Sequence, residues 1–197
     1  MKLIIEYLSG ANALEIIGLV FGLANVTLLI KKSILNWPAG LVYVIASLIL
    51  FWNIKLYADF GLHIIYLFLN VYGWYFWVVS KSNNIEHSIS TNSRQKNSLF
   101  LLFSITGTFV LGFFLSKFTD ASLPYWDSAT SVFSITGIWL TAKKKLESWY
   151  YWFAVDVTAA CIYWVKDIPF YSFLYLIYIG MAIVGYYSWK KSVNVSH

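Results

Sequence analysis

Seven long apolar runs alternate with short polar or basic stretches along this chain. A helix needs about 20 mostly apolar residues to cross the hydrocarbon core of a bilayer, and each run is close to that length. The runs predict seven membrane-spanning helices, at about 13–30, 36–54, 58–79, 98–117, 125–142, 147–165 and 168–189. Only one connection is long and polar, and it covers residues 80–97.

Composition supports the same class of protein. The chain is 59% hydrophobic and only 12% charged, whereas soluble domains carry about 25% charged residues. Most of its surface must therefore face lipid, which predicts an all-α polytopic membrane protein. The net charge of +5 is spread in small clusters between the apolar runs. That distribution argues against nucleic acid as a partner.

Basic residues are distributed unequally between the two sides that seven crossings define. One side holds four of them, namely Lys2, Lys55, Lys117 and Lys166. The other side holds ten, namely Lys31, Lys32, Lys81, Arg94, Lys96, Lys143, Lys144, Lys145, Lys190 and Lys191. Because positive residues mark the cytoplasmic side, we expect the N-terminus outside and the C-terminus in the cytoplasm.

An internal repeat emerges when the chain is compared with itself at an offset of 112 residues. The aligned tryptophans use six of the ten in the chain, which is improbable by chance and predicts a duplication. The matches are Glu15 with Asp127, Lys31–Lys32 with Lys143–Lys144, Trp37 with Trp149, Trp52 with Trp164, Tyr66 with Tyr178, Gly73 with Gly185, Tyr75 with Tyr187, and Trp77 with Trp189.

Each repeat holds three runs, and an odd number would leave two directly joined copies pointing in opposite directions. The extra run at 98–117 restores the direction, so we expect two parallel three-helix repeats joined by a linker helix. The predicted organisation is a first bundle (1–79), a cytoplasmic loop (80–97), the linker (98–117) and a second bundle with a short tail (118–197). Known transporters of this plan bind solute near the membrane midplane, where the repeats meet.

The sixth run carries Trp149, Trp152 and Asp156 at positions i, i+3 and i+7, on one helix face. Indole faces attract positive charge and a carboxylate pairs with it, so this stripe predicts a site for an organic cation. Two simpler interpretations remain open. Trp149 is also typical of the aromatic belt at the membrane interface, and Asp156 could pair with a basic or polar neighbour.

The third run carries a second stripe, Asp59, His63, Tyr66 and Asn70. Asp59 fits a helix N-terminus, whereas His63 and Asn70 should face the interior and bind either solute or neighbouring helices. We add Trp37, the partner of Trp149 in the repeat, and Tyr66 to the candidate substrate contacts. No His, Cys and carboxylate cluster with metal-ligand spacing and no catalytic motif appears in the sequence. Neither an enzyme nor a bound cofactor is expected.

These residues resemble those of the Pnu-type vitamin transporters. The matching stretches are Leu56–Ala58, Asn70–Tyr75, Pro124–Ser128 and Glu147–Trp152. The resemblance implies a 3+1+3 fold like a full-length SWEET protein, in a bacterial inner membrane. It also implies facilitated diffusion of a vitamin with trapping by a cytoplasmic kinase, and a possible homotrimer.

Two positions differ from the nicotinamide riboside branch of that family. Asp156 replaces the Asn of its Trp-x-x-Trp-x-x-x-Asn motif, and His63 replaces a Gln. A carboxylate favours a cationic, donor-rich solute, and the Asp form resembles the thiamine branch. We therefore expect thiamine, with nicotinamide riboside as the alternative. Riboflavin transport and a non-transporting membrane receptor are further alternatives.

Overall fold

The structure is a computed structural model that describes residues 13–53, 55, 57–82 and 88–193. Seven helices lie within these ranges: α1 (Ala13–Ile30), α2 (Asn36–Asn53), α3 (Tyr57–Ser82), α4 (Arg94–Phe118), α5 (Pro124–Ala142), α6 (Ser148–Val165) and α7 (Pro169–Val193). Parts of the predicted organisation lie outside the described residues, namely the N-terminal segment (1–12), residue 54 at the end of the second run, Leu56, the middle of the polar loop (83–87) and the end of the tail (194–197).

The chain forms two compact units, residues 1–87 and 88–197. In the first unit, α2 packs against both α1 and α3. In the second unit, α5 packs against α4 and α6, and α6 packs against α7. The helix α4, expected as a linker, is thus part of the second compact unit.

Five of these helices, α1 to α4 and α7, are long and apolar enough to cross a membrane. The other two, α5 and α6, are rich in hydroxyl-bearing and aromatic residues, which lowers their mean hydropathy. They are also the helices with most buried residues, nine in α5 and eight in α6. A helix that faces protein on several sides needs less apolar surface than one that faces lipid.

The polar connection is shorter than the sequence predicts. The helix α3 continues to Ser82, and α4 begins at Arg94 rather than near residue 98. Ser93 caps α4, since its hydroxyl oxygen accepts the backbone N–H of Lys96 at 3.4 Å. Side-chain capping satisfies an N–H that has no partner within the helix, which lets α4 start inside a polar stretch.

The helix corners repeat at the same offset of 112 residues. The described residues other than glycine with positive φ are Lys32 (57°) and Lys144 (52°), and Lys55 (61°) and Asp167 (56°), two pairs at that offset. The N–H of Lys32 donates to Leu29 and that of Lys144 to Thr141, both at 2.9 Å. Each corner therefore ends its helix with the same left-handed cap.

We expect Asp167→Val to lower stability by about 1–2 kcal/mol, because a branched side chain fits the left-handed conformation poorly. Asp167→Gly should equal or exceed the native protein, since glycine adopts positive φ without a steric cost. Thermal unfolding in detergent measures both variants. Equal midpoints for valine and glycine would contradict a left-handed cap at Asp167.

Candidate functional site

A tryptophan in each unit packs its ring onto a glycine. The ring of Trp149 in α6 lies against Gly185 of α7, where a Cβ atom would collide with it. It also meets Trp189 edge-to-face, with ring centroids 5.5 Å apart. Trp149 is only 2% exposed, so it forms part of the α6–α7 interface.

The first unit contains the same arrangement at the offset of 112 residues. Trp37 of α2 packs on Gly73 of α3 and meets Trp77 at 5.6 Å, again edge-to-face. In both units the indole Nε1 is buried and has no hydrogen-bond partner among the described residues. An unpartnered buried donor costs free energy, which makes each nitrogen a candidate contact for a ligand.

Trp152 lies on a different glycine. Its ring is 3.3 Å from the position that a Cβ of Gly137 in α5 would occupy, and its Nε1 donates to Thr141 Oγ1 at 3.1 Å. Unlike Trp149, Trp152 keeps part of its surface accessible. Of the two predicted indole residues, Trp152 is thus the one that keeps accessible surface.

In the first unit the glycine and the larger residue of this contact stand at the opposite positions. Asn25 stands at the position of Gly137, and Gly40 stands at the position of Trp152. A Cβ on Gly40 would lie 2.7 Å from Asn25 Nδ2, so the two residues touch as Gly137 and Trp152 do. The second tryptophan of the motif is accommodated only where its neighbour is glycine.

Asp156 is 8% exposed in α6, and its carboxylate has no hydrogen-bond or ion-pair partner among the described residues. The sequence left open a structural pair for this carboxylate, and the described residues provide none. Val44, the residue at the equivalent position of the first unit, is 1% exposed. Packing at this position is therefore compatible with an apolar side chain. By contrast, Asp127 lies 3.7 Å from Lys166 in a partly exposed ion pair.

His63 in α3 is buried within a cluster of aromatic rings. Phe51 lies 4.8 Å away between ring centroids, and Tyr66 lies 5.1 Å away. Its Nδ1 lies 2.9 Å from the carbonyl oxygen of Asp59, which can only accept a hydrogen bond. In a neutral ring Nε2 is then an acceptor, and this buried atom has no partner among the described residues. It could accept an amide or amino N–H of a solute.

Asn70 lies two turns further along the same face of α3 and is 7% exposed. Its Nδ2 donates to the carbonyl oxygen of Tyr66 at 2.9 Å. Its Oδ1 lies 2.5 Å from the position of a Cβ on Gly40. Asn70 and Asn25 thus converge on Gly40 and form a polar cluster between the three helices of the first unit.

The predicted site residues divide between the two units. In the first unit His63, Tyr66 and Asn70 follow one another along α3, while Trp37 on α2 lies against Gly73, further along that helix. The second unit aligns Trp149, Trp152 and Asp156 on α6. Sequence reasoning missed the residues against which the indoles pack, Gly137 and Gly185 among them. The sequence did carry a signal for Gly137. At the repeat offset, Asn25 corresponds to Gly137 and Gly40 to Trp152, so the small residue changes sides between the two halves.

Comparison with known proteins places this chain among transporters. Its sequence is 25% identical to the nicotinamide riboside transporter PnuC of Escherichia coli, with 92% of this chain and 86% of that protein covered. It is 22% identical to the riboflavin/roseoflavin transporter RibM of Streptomyces davaonensis, over 89% of this chain and 83% of that protein.

The fold matches the crystal structure of the vitamin B3 transporter PnuC with a TM-score of 0.75. That match covers 98% of this chain and 87% of that one at 21% sequence identity. Five apolar helices and these similarities identify a multi-pass membrane protein. The family model described as nicotinamide mononucleotide transporter matches residues 12–191. The chain therefore belongs to the nicotinamide mononucleotide transporter family.

Proposed function

We propose that this protein carries a cationic, ring-containing vitamin across the membrane by facilitated diffusion. The observation that supports this best is Asp156, a buried side chain with no partner among the described residues, one turn from the half-buried Trp152. A cation that stacks on the indole and pairs with the carboxylate would satisfy both groups. Trp149, which packs on Gly185, holds this face of α6 against α7. The candidate substrate contacts also include His63, Asn70, Tyr66 and Trp37.

Nicotinamide riboside is the first candidate, because relatives over nearly the whole chain are named for it. Its pyridinium ring supplies the charge, and its carboxamide supplies a donor for a carboxylate or for His63 Nε2. Thiamine is the second candidate, favoured by Asp156 because its aminopyrimidine can donate to a carboxylate while its thiazolium supplies charge. Riboflavin, which a further relative carries by name, has no fixed positive charge and ranks third.

We also propose that the chain arose by duplication and has the 3+1+3 arrangement. The matched corners and the two tryptophan–glycine contacts at one offset support it. In this proposal the protein lies in a bacterial inner membrane with the N-terminus outside, and the carrier is uncoupled from ion gradients. A cytoplasmic kinase would then trap the vitamin and make uptake unidirectional. A homotrimer stays an expectation.

Uptake into proteoliposomes that contain no kinase tests the proposal. We expect radiolabelled nicotinamide riboside or thiamine to equilibrate, without accumulation, and to do so equally with and without a proton gradient. Liposomes without protein are the control for leakage, and unlabelled riboflavin tests competition. Binding without flux would instead support a membrane receptor, and accumulation that needs a gradient would contradict the uncoupled mechanism.

A further inference from the structure

Residues 88–93, which we name the strap, lie against the corner between α5 and α6. The N–H of Ser90 donates to the carbonyl of Lys144 at 3.2 Å, and the carbonyl of Ser90 accepts the N–H of Leu146 at 3.0 Å. Lys145 Nζ adds a bond to Ser90 Oγ at 2.8 Å. Ile89 and Leu146 are each 6% exposed. The strap is therefore joined to the corner by its backbone and packed against it.

Glu147 extends this connection into α6. It is 6% exposed, and its Oε1 accepts the backbone N–H of Asn92 at 2.7 Å and Nδ2 of Asn97 at 3.3 Å. These donors belong to the strap and to the first turn of α4, while Glu147 itself immediately precedes α6. One carboxylate oxygen thus ties three segments together at the start of the helix that carries the tryptophan–aspartate stripe.

The cost of this arrangement indicates that Glu147 does more than fill space. Its Oε2 is buried with no hydrogen-bond partner among the described residues. Burying a carboxylate with an unsatisfied oxygen is unfavourable, and an apolar residue of similar volume is often at least as stable there. A role in placing its neighbours accounts for a glutamate at this position better than stability alone does.

The first unit shows that the corner itself does not need a glutamate. Leu35 occupies the equivalent position and is 58% exposed. The backbone is nevertheless the same, since Trp37 N–H donates to Ile34 and Trp149 N–H to Leu146, both at 3.2 Å. The strap is therefore an addition to a corner that closes on its own.

The two units hold the start of the tryptophan-bearing helix in different ways. In the first unit, Asn25 Nδ2 donates to the carbonyl of Asn36, the first residue of α2, at 2.6 Å. In the second unit Gly137 takes the place of Asn25 and has no side chain to make that bond. The second unit therefore has no anchor from this position, and Glu147 with the strap supplies another one from outside the corner.

We propose that Glu147 is a positioning residue that fixes the first turn of α6, and with it the rings of Trp149 and Trp152, through the strap. It touches no solute. The consequence for ligand affinity rests on the proposed function, whereas the consequence for the order of α6 does not.

Glu147→Leu tests this idea by giving the second corner the residue of the first. We expect the amide of Leu146, which donates to Ser90 in the strap, to exchange its hydrogen about tenfold faster, because Glu147 no longer holds the strap against the corner. The amide of Trp149, which donates to Leu146, should follow, because the first turn of α6 loses its anchor. Affinity for nicotinamide riboside and thiamine, measured by calorimetry well below the unfolding temperature, should fall about tenfold, since small displacements of binding groups are costly. Glu147→Gln, which keeps the accepting oxygen, should restore both values to within about twofold.

The two measurements separate the possible failures. Unchanged exchange at Leu146 and Trp149 in Glu147→Leu would overturn the positioning role, whatever the ligand result. Faster exchange with unchanged affinity would also overturn it, because Glu147 would then serve stability alone. If the native protein binds neither vitamin, the proposed function fails, and the exchange measurement still decides whether Glu147 orders α6.

Discussion

Replacing Asp156 by valine is expected to abolish high-affinity binding of a cationic vitamin while leaving the protein folded. Valine is the residue that the first unit buries at the equivalent position, Val44, so the fold has a precedent for it. Truncating one partner of a desolvated, hydrogen-bonded charge pair costs about 2–5 kcal/mol, or roughly 30- to 5,000-fold in affinity. Calorimetry on purified protein measures the loss, and proteoliposome uptake should fall in parallel.

Asp156→Asn refines the same experiment. The amide keeps a hydrogen-bonding group and removes the charge, so thiamine should weaken more than nicotinamide riboside, whose transporter branch has Asn in this motif. Asp127→Asn is the matched control, because it neutralises an acidic residue whose partly exposed ion pair with Lys166 is worth at most about 1 kcal/mol. If Asp156→Val bound each vitamin as tightly as the native protein does, this carboxylate would be excluded from the site.

Gly185→Ala is expected to cause the largest loss of stability among single methyl additions in the second unit. The new Cβ would overlap three ring atoms of Trp149, whose ring is already confined by Trp189. Overpacking of this kind costs about 1–3 kcal/mol or more, and the displaced indole should also weaken vitamin binding. The midpoint of thermal unfolding in detergent, with and without ligand, measures both effects.

Gly180 in the same helix provides the control for this substitution. A Cβ there meets no atom within 4 Å, so Gly180→Ala should raise helix stability by up to about 1 kcal/mol. The double variant Gly185→Ala/Trp149→Leu replaces the indole with a smaller side chain, so it should recover part of the lost stability. If both alanine variants behaved alike, close packing of Trp149 on Gly185 would be wrong.

Much of the fold could be predicted because membrane helices carry their signal locally. Runs of apolar residues located all seven helices, and the ends of α1 and of α2 fell within a residue of the expected positions. The start of α4 was misplaced because a hydroxyl cap at Ser93, rather than hydropathy, decides it. Hydropathy also could not show that α5 and α6 are the most buried helices, since that depends on which neighbours pack around them.

The candidate site, too, could be predicted where the signal is local and could not where it depends on tertiary contacts. Spacing alone placed Trp149, Trp152 and Asp156 on one face of α6, and burial of Asp156 agrees with that expectation. What spacing could not show is that Trp149 is enclosed while Trp152 stays partly accessible. This distinction depends on how α5 and α7 pack against α6, which spacing within α6 does not show. The hydrogen bonds of Glu147 to residues 50 and 55 positions earlier were equally invisible.

At the contact between Asn25 and Gly40 in the first half, and between Gly137 and Trp152 in the second, the glycine stands on opposite partners. This difference limits the order in which the two halves could have diverged after the proposed duplication. An indole at position 152 beside an asparagine at 137 would have met a side chain where its ring now lies. Under the duplication proposed above, a tryptophan at position 152 therefore required glycine at position 137 before it or together with it. Placing a tryptophan at position 40 in the first half would accordingly require at least two substitutions made together, Gly40→Trp and a replacement of Asn25.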